Sequence, residues 1–238
     1  MVILSTYLVS SATYMSSQWP SIIRYRGILY GIAVLTGLLG IVIHSVILFD
    51  DITQQNGLYL SLPNVISLIG LQLAIIAVIA ALNKKMCGFA GGILIVSSLS
   101  ELTFIWLIDQ IGNIPPVVKA LTWQIKIHIM TSIFAYGLLC AGAIIAIFAL
   151  IQDKRLRTKK ISSLNSLFAP LETTEKLLFN TATAGSVLLF LSIFSGLIIL
   201  ENIYLQNQAQ QIALSITALI MFSTLVYGRN FFGWRGRS

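Results

Sequence analysis

Two histidines occur in the 238 residues, His44 and His128, and both fall inside long apolar stretches. A third ionisable group, Glu101, does the same. Ionisable side chains are costly in such surroundings, so they mark the positions where chemistry is to be sought. Two neutral imidazoles facing one another at one depth can supply both axial ligands of a non-covalent, b-type haem. The porphyrin then lies edge-on among apolar side chains with its propionates toward the outer surface. Each ring needs a partner for its second nitrogen, and Ser45, Thr131, Ser132 or Glu101 can serve. The plainer alternative is that each histidine makes one interhelical hydrogen bond and nothing more. Glu101 has three readings: a proton relay, a structural partner for Lys126, or a neutral carboxylic acid. Structural pairing is favoured over a relay.

The elements that position these residues follow from composition. Hydrophobic residues make up 57% of the chain and charged residues 10%, with a mean hydropathy of +0.89. Soluble domains carry about 25% charged residues. The deficit excludes a soluble enzyme, a disordered tail and a nucleic-acid-binding domain, and no basic stripe is interleaved with exposed aromatics. The chain reads as an all-α, polytopic transmembrane bundle forming a single domain. A span needs about 20 apolar residues, and seven segments meet or approach that length: Val2–Ser17, Gly27–Phe49, Leu60–Leu82, Met86–Ile108, Ile125–Ile151, Asn180–Leu200 and Ala209–Tyr227. The first is short and rich in Ser and Thr. Without a positive n-region it reads as a retained helix rather than a signal peptide.

Charge orients the bundle. Of 15 cations, 13 fall in alternate breaks: Arg24 and Arg26, Lys84 and Lys85, the run from Lys154 to Lys176, and Arg229, Arg235 and Arg237 in the tail. Lys119 and Lys126 lie on the other side with Asp50, Asp51, Asp109 and Glu201. The positive-inside rule makes the first set cytoplasmic, so the N-terminus is outside and the C-terminus inside. Trp19, Tyr25, Tyr59, Trp106, Trp123, Tyr204, Tyr227 and Trp234 stand near span ends, where aromatic rings prefer the interface. On this topology His44 lies about 9 Å below the outer face and His128 about 7 Å, at 1.5 Å per helical residue. Glu101 is slightly deeper. Whether the spans carrying the two histidines are neighbours is not encoded in the pattern.

The remaining segments narrow the function classes. The outer loop Asp109–Gln124 holds Gly112, Pro115 and Pro116 and reads as a turn or a short surface helix. The inner loop Gln152–Leu178 carries the run KRLRTKK, a topology signal suited to anionic lipid. That run motivates an alternative reading: a cofactor-free membrane scaffold or regulator acting through its basic loop. Ser97, Ser98 and Ser100 share a helix with Gly88, Gly91 and Gly92, and Gly137, Gly142, Gly185 and Gly196 are similarly placed. Small residues of this kind read as close helix packing rather than a transport path. Cys87 and Cys140 form no C-x-x-C or C-x-x-C-H pattern and read as space-filling. No P-loop, H-E-x-x-H or G-x-S-x-G is present, so protein-borne catalysis is not expected.

Several stretches together resemble one group of proteins. They are GIVIHSVIL around His44, LSLPNVISLIG around Asn64, HIMTSIFAYGLL from His128, the segment Glu172–Leu197 with its amphipathic lead-in, and the terminal GWRGR at Gly233–Arg237. The resemblance is to the cytochrome c assembly protein family, in its HemX-like branch, and runs from about Ile41 to the end. It implies a bacterial inner-membrane protein that handles haem at the outer face. Haem, membrane lipid and other cytochrome c maturation proteins are the implied partners. His44 and His128 match the family's membrane histidines as axial ligands to the haem iron, with Glu101 and Asn64 as polar supports. Family members that present haem to apocytochromes have a Trp-rich outer loop flanked by histidines. Asp109–Gln124 has neither, so haem-ligase activity is not implied here. The branch commonly continues past GWRGR into an eighth helix, and some relatives carry a histidine where this chain has Arg229–Phe232.

Overall fold

The computed structural model describes residues 1–54, 57–58, 60–111, 123–158, 170–200 and 209–233. Among them are seven α-helices: α1 (Val2–Ser17), α2 (Arg26–Ile52), α3 (Leu62–Ala81), α4 (Cys87–Ile111), α5 (Trp123–Arg157), α6 (Leu171–Leu200) and α7 (Ala209–Phe232). Short 3₁₀ helices at Pro20–Tyr25 and Lys84–Met86 join α1 to α2 and α3 to α4. One departure from an all-helical chain is a two-residue antiparallel pairing between β1 (Thr53–Gln54) and β2 (Gly57–Leu58), with Thr53 opposite Leu58.

Helices α2 to α7 are long and apolar enough to cross a membrane. Helix α1, with 16 residues, spans only about 24 Å of a core about 30 Å thick. It nonetheless runs antiparallel along α2: Tyr7 meets His44, Ser10 donates to the Ala33 carbonyl at 2.7 Å, and Tyr14 meets Tyr30 edge-on. Its polar residues turn inward, since Tyr7, Ser10, Ser11, Tyr14 and Ser17 are all buried. The Ser and Thr content that weakens α1 as a lipid-facing span is what fits it to the interior.

Local chemistry sets the helix ends. The Ser61 hydroxyl accepts from the Asn64 backbone N–H, and Pro63 sits in the first turn of α3, a favoured start. Gly233 ends α7 with φ +63°, the left-handed conformation that a glycine tolerates without strain. Helix α5 runs six residues beyond the sequence expectation. Lys154, Arg155 and Arg157 occupy its last turn, where cations oppose the negative end of the helix dipole. Helix α6 starts at Leu171 rather than Asn180, with Thr173 and Thr174 N–H groups bonded to the Pro170 carbonyl. The expected loop Gln152–Leu178 is therefore helical over much of its length. Its remainder, 159–169, lies outside the described residues, as do the Gly112–Pro116 turn, Tyr59, Lys119, Glu201, Tyr204, Trp234, Arg235 and Arg237.

The chain divides into two compact units, Met1–Ala120 with Ile144–Glu175, and Leu121–Ala143 with Lys176–Ser238. In the first unit α1 packs on α2 and α4, and α3 on α2 and α4. Contact is close because glycines line it. A Cβ added at Gly40 would stand 2.8 Å from the Tyr7 ring, and one at Gly91 would stand 3.0 Å from the Ser11 carbonyl, while the Ser11 hydroxyl donates to the Gly91 carbonyl at 2.8 Å. The cations Arg26 and Lys84 gather at one end of the unit, where Arg26 donates to Gln18 Oε1 and the Lys84 carbonyl, and the Lys84 ammonium lies over the Tyr30 ring. In the second unit Ala135, Leu139 and Leu189 form the core, against which Ala218, Leu219 and Phe222 of α7 pack. Cys87 is buried, as space-filling requires, whereas Cys140 faces outward.

Overpacking a tight helix contact costs about 1–3 kcal/mol. Gly40→Val is therefore expected to lower the unfolding stability of the detergent-solubilised protein by that amount. Gly31→Ala, with nothing within 4 Å of the added carbon, is expected to leave it unchanged or raise it.

Candidate functional site

Each histidine sits in a different unit, and each has a distinct environment. His44 is 1% exposed. It lies on the buried stripe of α2 that runs Ala33, Gly37, Gly40, His44, Leu48 and Ile52, steps of three and four residues that face one side of a helix. Four helices converge on it. The Tyr7 hydroxyl of α1 is 2.9 Å from Nδ1, the Ser67 hydroxyl of α3 is 2.8 Å from Nε2, and Glu101 Oε1 of α4 is 2.9 Å from the same Nε2. Ser67 also donates to Glu101 Oε1 at 2.6 Å. Tyr7, Ser67 and Glu101 are each at most 3% exposed.

Glu101 thus has partners in His44 and Ser67, while Lys126 belongs to the other unit. Asn64 lies one turn before Ser67 on α3 and is buried beside the start of the helix, with its backbone N–H capped by Ser61. Ser45, an expected partner of His44, instead bonds the Ile41 carbonyl of its own helix at 2.7 Å. The residues that do serve, Tyr7 and Ser67, carried no signal in the sequence. A tyrosine near a helix end reads as an interfacial anchor, and a membrane serine most often bonds its own backbone.

His128 is half-buried, in the second turn of α5. Its Nδ1 is 3.0 Å from the Ser195 hydroxyl of α6. The ring lies against Gly196, where an added Cβ would come within 2.9 Å of Cε1. Ser132 bonds the His128 carbonyl at 2.8 Å and the Ser192 hydroxyl at 2.5 Å, and Thr131 bonds the Ile127 carbonyl. Neither of these two expected partners is hydrogen-bonded to the ring.

Hydroxyl directions decide which nitrogen is free. A serine has one hydrogen to give. Ser195 Oγ is 2.9 Å from the Ser192 carbonyl and 3.0 Å from His128 Nδ1; with its hydrogen on the carbonyl, its oxygen accepts from Nδ1–H. Nε2 then carries the bare lone pair, and among the described residues nothing donates to it. This is the tautomer of a metal-binding histidine, anchored at one nitrogen and open at the other. At His44 both nitrogens are engaged, so a metal would have to displace Ser67 and Glu101, or Tyr7. His128 fits an iron ligand as it stands; His44 in this arrangement does not.

A family profile described as Cytochrome C assembly protein matches residues 27–238. The chain belongs to the cytochrome c assembly protein family. It is similar to the inner membrane protein YpjD of Escherichia coli K12, with 27% identity over 233 residues, covering 97% of this chain and 86% of the relative. The proteins of the same name from strains O6:H1 and O157:H7 match to the same extent. No solved structure matches. The six apolar spans and these relatives place this family member in a bacterial inner membrane.

Loss of a buried hydrogen bond leaves its partner unsatisfied at a cost of about 1–3 kcal/mol. Tyr7→Phe is expected to destabilise by that amount in detergent unfolding, because it orphans His44 Nδ1. The same change at Tyr14, whose buried hydroxyl has no hydrogen-bond partner among the described residues, is expected to be neutral or stabilising. Equal effects of the two substitutions would contradict the assigned network.

Proposed function

We propose that this family member handles haem non-covalently on the outer side of the inner membrane, with His128 supplying a nitrogen ligand to the iron. The observation that carries this reading is that His128 is hydrogen-bonded at Nδ1 by Ser195 and has no hydrogen-bond partner at Nε2 among the described residues. Ser195 is the supporting partner that orients the ring, and Gly196 provides the flat surface against which it rests. Haem supplies the redox and ligand-exchange chemistry when bound; the protein supplies binding and orientation. His128 lies within two turns of the start of α5, at the outer end, so an amphiphile held there keeps its acidic groups near the aqueous phase. The family's concern with cytochrome c assembly agrees with such a role.

The basic segment gains less support. Arg157, in the described part of the run, directs its guanidinium to Asp153 at 2.9 Å, one turn back on the same helix. An exposed pair of this type serves the helix end rather than a partner.

The visible spectrum of the purified protein, reconstituted with haem and recorded oxidised and reduced, tests the proposal. His128→Ala is expected to lose the haem signal while still inserting in the membrane. Ser195→Ala is expected to weaken haem affinity about 10- to 100-fold, as changes to a ligand's supporting hydrogen bond do. His44→Ala separates a one-histidine site from a two-histidine one, and retention of its haem signal is the expected result. Haem content in His128→Ala equal to that of the parent would refute the assignment.

A further inference from the structure

The charges of the first unit are separated along its helices. Arg24, Arg26, Lys84 and Lys85 stand at the end where α1 and α3 finish and α2 and α4 begin. Asp50 lies at the far end of α2, about 36 Å from Arg26 at 1.5 Å per helical residue, with Asp51 beside it. Asp109 is likewise at the far end of α4, Glu101 is paired with His44, and Asp153 with Arg157. Among the described residues no carboxylate reaches any of the four cations, so the protein leaves their charge uncompensated.

A topology signal needs only charge, and its side chains can stay mobile. Two of these four are held in place. Nη2 of Arg26 donates to Gln18 Oε1 at 3.1 Å and reaches the Lys84 carbonyl at 3.5 Å, which ties the start of α2 to the end of α1 and to the α3–α4 turn. Lys84 Nζ lies 5.5 Å from the centroid of the Tyr30 ring, and the Tyr30 hydroxyl donates to the Ala81 carbonyl. Asn83 Oδ1 accepts from the Lys85 backbone N–H, which fixes the turn carrying both lysines. A guanidinium has five N–H groups, so Nε and Nη1 of Arg26 keep theirs for a further acceptor. Arg24 and Lys85 are exposed, and neither side chain has a partner among the described residues.

We propose that this end of the first unit binds the headgroup of an anionic phospholipid, with Arg24, Arg26, Lys84 and Lys85 around its phosphate. Two segments far apart in sequence supply the four positive groups, and a phosphodiester supplies the acceptor oxygens that both lack. The border of the site selects a lipid over a soluble anion. Trp19 and Tyr25 are exposed beside the cations, at the level where aromatic rings meet headgroups. Ile28 and Leu82 are exposed below them, on the apolar lengths of α2 and at the end of α3, and give the acyl chains a surface to follow. Basic clusters of this kind between membrane helices hold anionic headgroups by short-range attraction. The site is independent of the haem reading, since it lies wholly in the first unit and His128 belongs to the second.

Native mass spectrometry of the detergent-purified protein, titrated with phosphatidylglycerol or with zwitterionic phosphatidylcholine, counts bound lipid directly. The parent is expected to take up phosphatidylglycerol in preference. Arg24→Gln combined with Lys85→Gln breaks no side-chain bond within the protein, so the fold is retained. That pair is expected to lower the affinity for the first phosphatidylglycerol about 25-fold, at about fivefold per cation near an anionic lipid. Lys126→Gln combined with Lys176→Gln removes the same charge from the second unit and is expected to leave that affinity unchanged. Equal binding of the two lipids by the parent would overturn the proposal, as would unchanged affinity in the Arg24 and Lys85 pair. Equal losses in the two double variants would also overturn it, because diffuse attraction to net charge would then suffice. Displacement of the lipid by an equal concentration of glycerol 3-phosphate, which has the phosphate but no acyl chains, would reassign the site to a soluble anion and overturn the lipid assignment.

Discussion

A polar group inside a membrane has no water to fall back on, so its hydrogen bonds must come from the protein, and this constraint organises the first unit. His44 and Glu101 are drawn together from α2 and α4, and neither can be satisfied by its own helix. Meeting the demand takes a tyrosine from α1 and a serine from α3, so four helices are fixed in register by one cluster. The small residues serve the same end. Tyr7 reaches Nδ1 only because α1 lies against Gly40, and Ser67 reaches Glu101 where α3 closes on α4, with Gly70 opposite Ser100 and its carbonyl accepting from Ser97. Packing and polar satisfaction are one problem here rather than two.

That linkage explains the character of α1. Judged as a lipid-facing span it is too short and too polar, yet its hydroxyls are what the neighbouring backbones accept. Ser10 donates to Ala33, Ser11 donates to Gly91 and Tyr7 bonds His44 Nδ1, so three of the six inward positions of α1 make a bond to another helix. Helices α2 and α7 show the opposite economy, turning long rows of Leu, Ile and Phe outward where lipid tails can meet them.

Much of this was legible in the residues alone. The helical membrane bundle follows from the cost of placing charge in hydrocarbon, a signal that needs no knowledge of neighbours, although six helices rather than the expected seven are long and apolar enough to cross. Tyr7, Ser67 and Ser195 were not legible, because their importance lies in which way one hydroxyl points. Ser45, Ser98 and Ser132 look the same in sequence but bond carbonyls of their own helices. The ends of α5 and α6 were misjudged for a related reason. A fall in hydropathy marks where lipid stops, whereas a helix stops where its backbone bonds do, and Lys154–Arg157 continue the helix beyond the apolar core.

The two histidines, indistinguishable by type and nearly so by expected depth, are separated by their serines. Ser195 reaches His128 Nδ1 and its own helix's Ser192 carbonyl, and nothing among the described residues reaches Nε2. Ser67 spends its hydrogen on a carboxyl oxygen, which ties His44 Nε2 into a closed set. One arrangement leaves a ring nitrogen open to an incoming group; the other turns the imidazole toward an internal acid and closes both nitrogens. Closing His128 would take a partner aimed at Nε2, and opening His44 would take the loss of Tyr7, or of Ser67 and Glu101 together. Neither change follows from altering the histidine itself, so the division of labour between the two rings resides in the helices that face them.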